Sequence, residues 1–302
     1  MTASQRPHFT TFKSPPSILL IALLLLAGAG IVLALEQLPF EALDWNVFRA
    51  ALADPWRAYQ YPGFFNPPWT IWILAPLTRL PYSTGLLRLL TLVVFALLVW
   101  KRGGDWRHLL LVFTSVPLLY QVANLNIEWI PALAFLVGQR GIGLALLLVK
   151  PQSGLLAALA WLRETPAASG ASAVRAGWIL LLPTLLLLAI SFLLYGGWPL
   201  QVFENARSLN GSGVITMDWN ASLFPWTVPL GLWWMFRAWK TADEFLGVSA
   251  TLALSPYFGL YGLSLWFVLF VLRHRERPAL GWLVWMVLWG AYVLRHLPGV
   301  WA

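Results

Sequence analysis

SILLIALLLLAGAGIVLAL, residues 17–35, runs without a charge until Glu36 closes it. Crossing about 30 Å of hydrocarbon as a helix takes about 20 apolar residues, so this run predicts a membrane span. A cleaved leader would have a shorter apolar region ending on a small-x-small site. Here the run ends Leu33-Ala34-Leu35-Glu36 and is preceded by Arg6 and Lys13. That combination predicts an uncleaved anchor, with residues 1–16 as a cytoplasmic tail.

The rest of the chain has the same character. Of 302 residues, 59% are apolar and 11% charged, against about 45–50% and about 25% in a soluble domain. A soluble globular enzyme is thereby excluded. The 20 tryptophans suit the membrane interface, where the ring is buried and the N–H stays wet. With no cysteine, disulfides, thiolate metal sites and Cys nucleophiles are out. His8, His108, His274 and His296 show no zinc spacing, so no cofactor or metal site is expected.

The net charge of +8 is distributed as short clusters between apolar runs, which the positive-inside rule produces and nucleic-acid binding does not require. No nucleic-acid partner is expected. Further apolar runs lie at 82–100, 108–122, 127–138, 141–162, 178–195, 223–236, 245–272 and 279–296. Lys101, Arg102 and Arg107, then Arg140, Arg163, Arg175, Arg237, Lys240, Arg273, Arg275 and Arg277, punctuate them. One topology places all these clusters on the cytoplasmic side. It requires breaks at Lys150-Pro151 and Ser255-Pro256, where proline lacks the N–H and clashes with the preceding turn. It also requires 67–81 to dip in without crossing. The competing topology treats 141–162 as one span, which strands Lys150 at mid-bilayer, where an unpaired cation is costly. The expected fold is therefore all-α: a polytopic bundle of about 9–11 transmembrane helices in one domain, 17–302, of a cell (inner) membrane.

This topology leaves loop 36–66, turn 123–128, Lys150-Pro151, loop 196–222 and Ser255-Pro256 facing outward. In the first extracytoplasmic loop, Trp45, Phe48, Ala51 and Leu52 recur at helical spacing, predicting a short surface helix with Asp44 near its start. Asp44 reads either as an N-cap accepting from Asn46 and Val47 or as a functional carboxylate. Lys150, at the end of an aliphatic run, either snorkels to the interface or meets an anion at membrane depth. Asn124, Asn126 and Glu128 either cap the next helix or line an outward cavity. In loop 196–222, Glu204, Asn205, Arg207, Asn210, Asp218 and Asn220 form a polar surface suited to a sugar or simply a solvated loop. Arg295 and His296 read as interfacial anchors.

Taken in order, these pieces resemble the C-type glycosyltransferases, specifically glycosyltransferase family 87 and its mannosyltransferase-like relatives. Asp44-Trp45-Asn46-Val47-Phe48 is similar to the family's G-x-D-[LF]-x-V-[YF]. Phe65-Asn66-Pro67-Pro68-Trp69, followed by Leu74-Ala75-Pro76-Leu77 and Leu80-Pro81, resembles F-x-Y-P-P-x and L-A-P-L-x-x-L-P. Ala123-Asn124-Leu125-Asn126 stands where the family shows G-Q-x-N, and Gly141 to Pro151 resembles G-L-x-x-G-L-A-x-x-x-K-P. Leu254-Ser255-Pro256 is similar to the family's L-x-S-P.

The resemblance implies a GT-C-like fold and transfer of a sugar (mannose or a similar hexose or pentose) from a polyprenyl-phosphate donor to an acceptor hydroxyl outside the membrane. The acceptor is an unknown glycan, lipid or protein. In that chemistry Asp44 would be the general base. Lys150 would stabilise the departing phosphate. Asn126, Glu128 and Arg207 would bind substrate, and Trp45, Tyr61 or Trp69 would pack on the sugar. A lone base implies inversion.

Two further readings stand beside it. A catalytically inactive membrane subunit of a larger complex suits the short chain and the departures at Ala123-Asn124 and Asn66. A transporter would show inverted repeats with paired broken helices, and the two broken segments are not related in sequence.

Overall fold

The computed structural model describes residues 18–61, 63–169, 172–211 and 220–296. The expected tail 1–16, Ser17, Pro62 and Asp218 lie outside the described residues. Their secondary structure is helical throughout, joined by turns and loops, with no strand among the described residues. Three helices are long and apolar enough to cross a membrane: Ser83–Lys101, Gly177–Tyr195 and Pro278–His296. They belong to α4 (Ser83–Lys101), α10 (Ala173–Tyr195) and α15 (Pro278–His296). The opening run forms α1 (Ile18–Glu36), 19 residues long.

The long helices run between the same two ends of the molecule. At one end Arg102 pairs with Glu244, and Arg140 reaches Glu164 at 3.3 Å and Glu244 at 3.7 Å. Arg273 pairs with Asp243, and Arg275 leans on the Arg102 carbonyl at 3.4 Å. This is the basic end, reached by the C-terminus of α4 and the N-termini of α10 and α15. At the opposite end, the first turn of α4 meets the end of α1: the Gly85 amide donates to the Glu36 carboxylate at 2.5 Å. Tyr195, closing α10, stacks on Trp56 at 5.7 Å, and Arg295, closing α15, reaches the Asn220 carbonyl at 3.4 Å. At 1.5 Å per residue, α4 separates the two ends by about 28 Å, close to a hydrocarbon thickness.

Shorter helices fill the basic half. α7 (Trp129–Ala134), α8 (Arg140–Leu147), α9 (Ala157–Ser169), α13 (Glu244–Leu254) and α14 (Leu263–Arg273) each have one terminus near the basic end. Both proline breaks occur where the sequence places them. Lys150 precedes a short 3-10 turn, Pro151–Ser153, and Ser255-Pro256 separates α13 from α14. A third break falls inside 108–122, which splits into α5 (Trp106–Phe113) and α6 (Val116–Asn124). The physical cause is visible: Ser115 is extended and Pro117 occupies the first turn of α6, where its missing N–H costs nothing. The run 67–81 forms only α3 (Pro68–Thr78), 11 residues long, about 16 Å and too short to cross.

Helix pairs close on glycine. A Cβ at Gly85 would stand 2.2 Å from the Val32 carbonyl oxygen, so α1 and α4 touch backbone to backbone. At Gly247 a Cβ would stand 2.6 Å from Ala157 Cα and from the Leu156 carbonyl oxygen, so α13 is held close there too. Such close approach lets the two backbones gain van der Waals contact that a larger side chain would prevent. Trp45, Phe64, Phe95, Leu98 and Trp161 are fully buried between these elements.

Candidate functional site

Loop 36–66 folds back onto the bundle through α2 (Leu43–Ala51). Its start is set by Ala42, in the left-handed region at φ 52°. Trp45, Phe48 and Ala51 are buried along one face, as their spacing predicts. The Trp45 indole N–H donates to Ser83 Oγ at 3.2 Å, fixing α2 against the first turn of α4.

The cap reading of Asp44 is overturned. No side chain caps α2, and the Asn46 amide donates to the Ala42 carbonyl instead. Asp44 is therefore free to turn inward. Asn126 Nδ2 donates to Asp44 Oδ2 at 2.8 Å, and Asn126 Oδ1 accepts from Lys150 Nζ. One buried amide thus joins the two residues that the sequence singles out. Lys150 Nζ also lies 2.8 Å from Glu128 Oε1 and 4.4 Å from the centre of the Tyr261 ring.

Lys150 does not snorkel: it is 6% exposed, Asn126 5% and Glu128 0%. Glu128 stands at the N-cap position of α7 without capping it. Asn124 turns back on its own helix, donating to the Tyr120 carbonyl at 3.0 Å.

Burial raises the Asp44 pKa above the ordinary carboxylate value, and the nearby Glu128 charge adds to this. The Asn126 hydrogen bond and the Lys150 charge pull it back, but less. Two carboxylates around one ammonium leave the cluster with an anionic balance when all three are ionised. A carboxylate made more basic in this way is suited to take a proton.

The motif segment 65–69 acts as a brace. Asn66 Nδ2 donates to the Val149 carbonyl at 2.8 Å, Tyr59 Oη donates to the Asn66 carbonyl at 2.7 Å, and Trp69 Nε1 donates to the Ala145 carbonyl at 3.0 Å. Together they hold the tip of α8, and with it Lys150. Trp69 is consequently 4% exposed, with its ring edge against Trp198 at 6.4 Å. It is a packing residue and cannot lie on a sugar. Tyr61 is exposed on the loop, and Arg207 is exposed on α11 (Trp198–Gly211). Neither joins the cluster, and of the polar groups in that region Asn205 donates to the Tyr59 carbonyl at 2.8 Å.

Three tyrosines that sequence reading passes over face the cluster. Tyr120, Tyr257 and Tyr261 all lie within electrostatic reach of Asp44, and Tyr120 stacks on Tyr261 at 6.2 Å. All three are half-buried. The signal was present: a break at Ser255-Pro256 puts residues 257–261 at the level of the break at Lys150-Pro151. These rings stand near the Asp44 carboxylate and the Asn126 amide.

Among the described residues, no group of three His, Asp or Glu side chains is placed to hold a metal ion. A 440 Å³ cavity lined by Leu272–Arg277 lies at the basic end, away from this cluster. Neither a family model, nor a curated protein, nor a solved structure matches this chain.

Proposed function

We propose that the chain is an integral membrane glycosyltransferase of the C type, taking a sugar from a polyprenyl-phosphate donor. Transfer goes to an acceptor hydroxyl at the end opposite the basic clusters. On this reading the basic end is cytoplasmic, the N-terminus lies on that side, and loop 36–66 is extracytoplasmic. The observation that carries it is the Asn126 amide joining Asp44 to Lys150.

The acceptor oxygen attacks the anomeric carbon while its proton passes to Asp44. The bond from that carbon to the phosphate oxygen breaks, and its electron pair leaves with the phosphate. Burial makes Asp44 a stronger base for this step. Glu128 is held by Lys150, so it is not a free nucleophile, and a single attack inverts the anomeric centre. The Lys150 charge lies below Asp44 and stabilises the carboxylate between turnovers. It meets a phosphate only by loosening its hold on Glu128. A donor with a long isoprenoid tail reaches such a site sideways from the bilayer.

The test is transfer of radiolabelled mannose from polyprenyl phosphate in reconstituted vesicles. Asp44→Asn is expected to abolish transfer while the protein stays folded, and surviving transfer would overturn the base assignment.

One observation favours a second reading, a non-catalytic membrane subunit. Lys150 is already engaged by Glu128, Asn126 and the Tyr261 ring. A wild-type protein that binds the labelled donor without turnover would favour this reading.

A further inference from the structure

Arg88 interrupts the apolar run 82–100 on the second turn of α4 and is 0% exposed. Its guanidinium donates to three backbone carbonyls from three segments. Nε reaches Val122 at 3.3 Å, Nη1 reaches Leu35 at 2.5 Å and Nη2 reaches Phe40 at 3.1 Å. Leu35 and Val122 lie in the last turns of α1 and α6, where carbonyls lack partners within the helix and a cation is favoured by the helix dipole. The Phe40 ring lies 5.8 Å from the guanidinium carbon.

The position of these carbonyls along the chain matters. Phe40 is four residues before Asp44, and Val122 is four residues before Asn126. One side chain therefore clamps both segments just upstream of the Asp44–Asn126 hydrogen bond. The other ties nearby, from Trp45 to Ser83 and from Gly85 to Glu36, fix only the Asp44 side to α4. Among the described residues, Arg88 hydrogen-bonds to both sides at once.

We infer that Arg88 is a positioning residue that sets the register of Asp44 against Asn126, acting through backbone carbonyls. Only a planar fork with separated N–H groups satisfies three divergent acceptors at once. A lysine keeps the charge but presents a single point, so Arg88→Lys loosens the clamp without emptying it of charge. The clamp concerns the geometry of the cluster. Its effect on rate rests on the transferase reading.

The experiment follows the Asp44 carboxyl by infrared spectroscopy across a pH titration of the purified, reconstituted protein. The band is assigned by its loss in Asp44→Asn. Besides Asn126, the groups that act on Asp44 are Lys150, Glu128 and the tyrosines 120, 257 and 261, all unchanged in the variants.

Because the Asn126 hydrogen bond holds the Asp44 pKa down, Arg88→Lys is expected to move the titration up by about one pH unit. Asn126→Ala is expected to give a shift of the same size, and the double variant no more than either alone. An unmoved or lowered midpoint, or additive shifts, overturns the inference. So does loss of the folded state in both Arg88→Lys and Arg88→Gln, which would make Arg88 a residue of the fold alone. If wild type transfers sugar, Arg88→Lys lowers kcat with the donor KM unchanged. If wild type transfers none, the transferase reading fails while the infrared result still decides the clamp.

Discussion

Lys150 Nζ lies 2.8 Å from Glu128 Oε1 with both side chains withdrawn from solvent. Removing one partner of a buried pair leaves a bare charge, which costs about 3–5 kcal/mol, whereas replacing both with apolar groups is often neutral. Glu128→Leu and Lys150→Met are each expected to lower the thermal unfolding midpoint sharply. The double variant should recover much of the loss. A double variant worse than either single change would show that the pair does not act as a unit.

Asp44 predicts a pH signature with a definite sign. Its folded pKa is raised by burial, so its favourable contribution to stability is complete below the unfolded value and is lost as pH rises through the folded one. At neutral pH, Asp44→Asn is therefore expected to be more stable than wild type, and the gain should shrink towards acid. Thermal unfolding across that range checks it.

Activity carries the complementary prediction. Only ionised Asp44 accepts a proton, so the acid limb of the rate profile should lie above the ordinary carboxylate range. Lys150→Ala removes a charge that lowers the Asp44 pKa and should move the limb up, while Glu128→Gln removes one that raises it and should move the limb down. Shifts in the same direction for both would contradict the arrangement.

Close backbone contact makes glycine position-specific. Gly85→Ala places a methyl 2.2 Å from the Val32 carbonyl oxygen and should destabilise by about 1–3 kcal/mol or more. At Gly177 nothing lies within 4 Å, and Gly177→Ala should be neutral or stabilising by up to about 1 kcal/mol. Parallel unfolding of the two variants in the same detergent compares them directly.

The cysteine-free chain makes orientation measurable. A single cysteine replacing Trp56, 67% exposed, should react with a membrane-impermeant maleimide added outside intact cells. One replacing Arg277 should react only after the membrane is opened. The reverse pattern would invert the proposed topology.

The breaks at Lys150-Pro151 and Ser255-Pro256 were legible because proline removes a donor locally, whatever surrounds it. The break at Ser115 left a fainter mark, since Pro117 is compatible with the first turn of a helix and reads equally well inside a longer run. Asp44 and Lys150 stood out because charges in so apolar a chain need a reason. Their meeting through Asn126 depends on where three loops end, which no local pattern encodes. Arg88 was invisible for a related reason: its three acceptors are backbone carbonyls, and every residue has one. Trp69 misled in the other direction, because an aromatic beside a proline pair reads alike as a platform or as packing.

The half-length helices have an electrical consequence. Lys150 is ten residues from Arg140 at the basic end, about 15 Å of rise, roughly half the length of α4. Asp44 is partly exposed; on the proposed topology it meets the outer side, and the insulating layer beneath the cluster is about half a bilayer thick. A membrane potential is worth about 2.3 kcal/mol per charge per 100 mV, and most of it then falls between the cluster and the cytoplasmic face. A proton exchanged between Asp44 and the outer solution crosses little of that field. The acid–base step would run at the same cost in an energised cell as in a de-energised one.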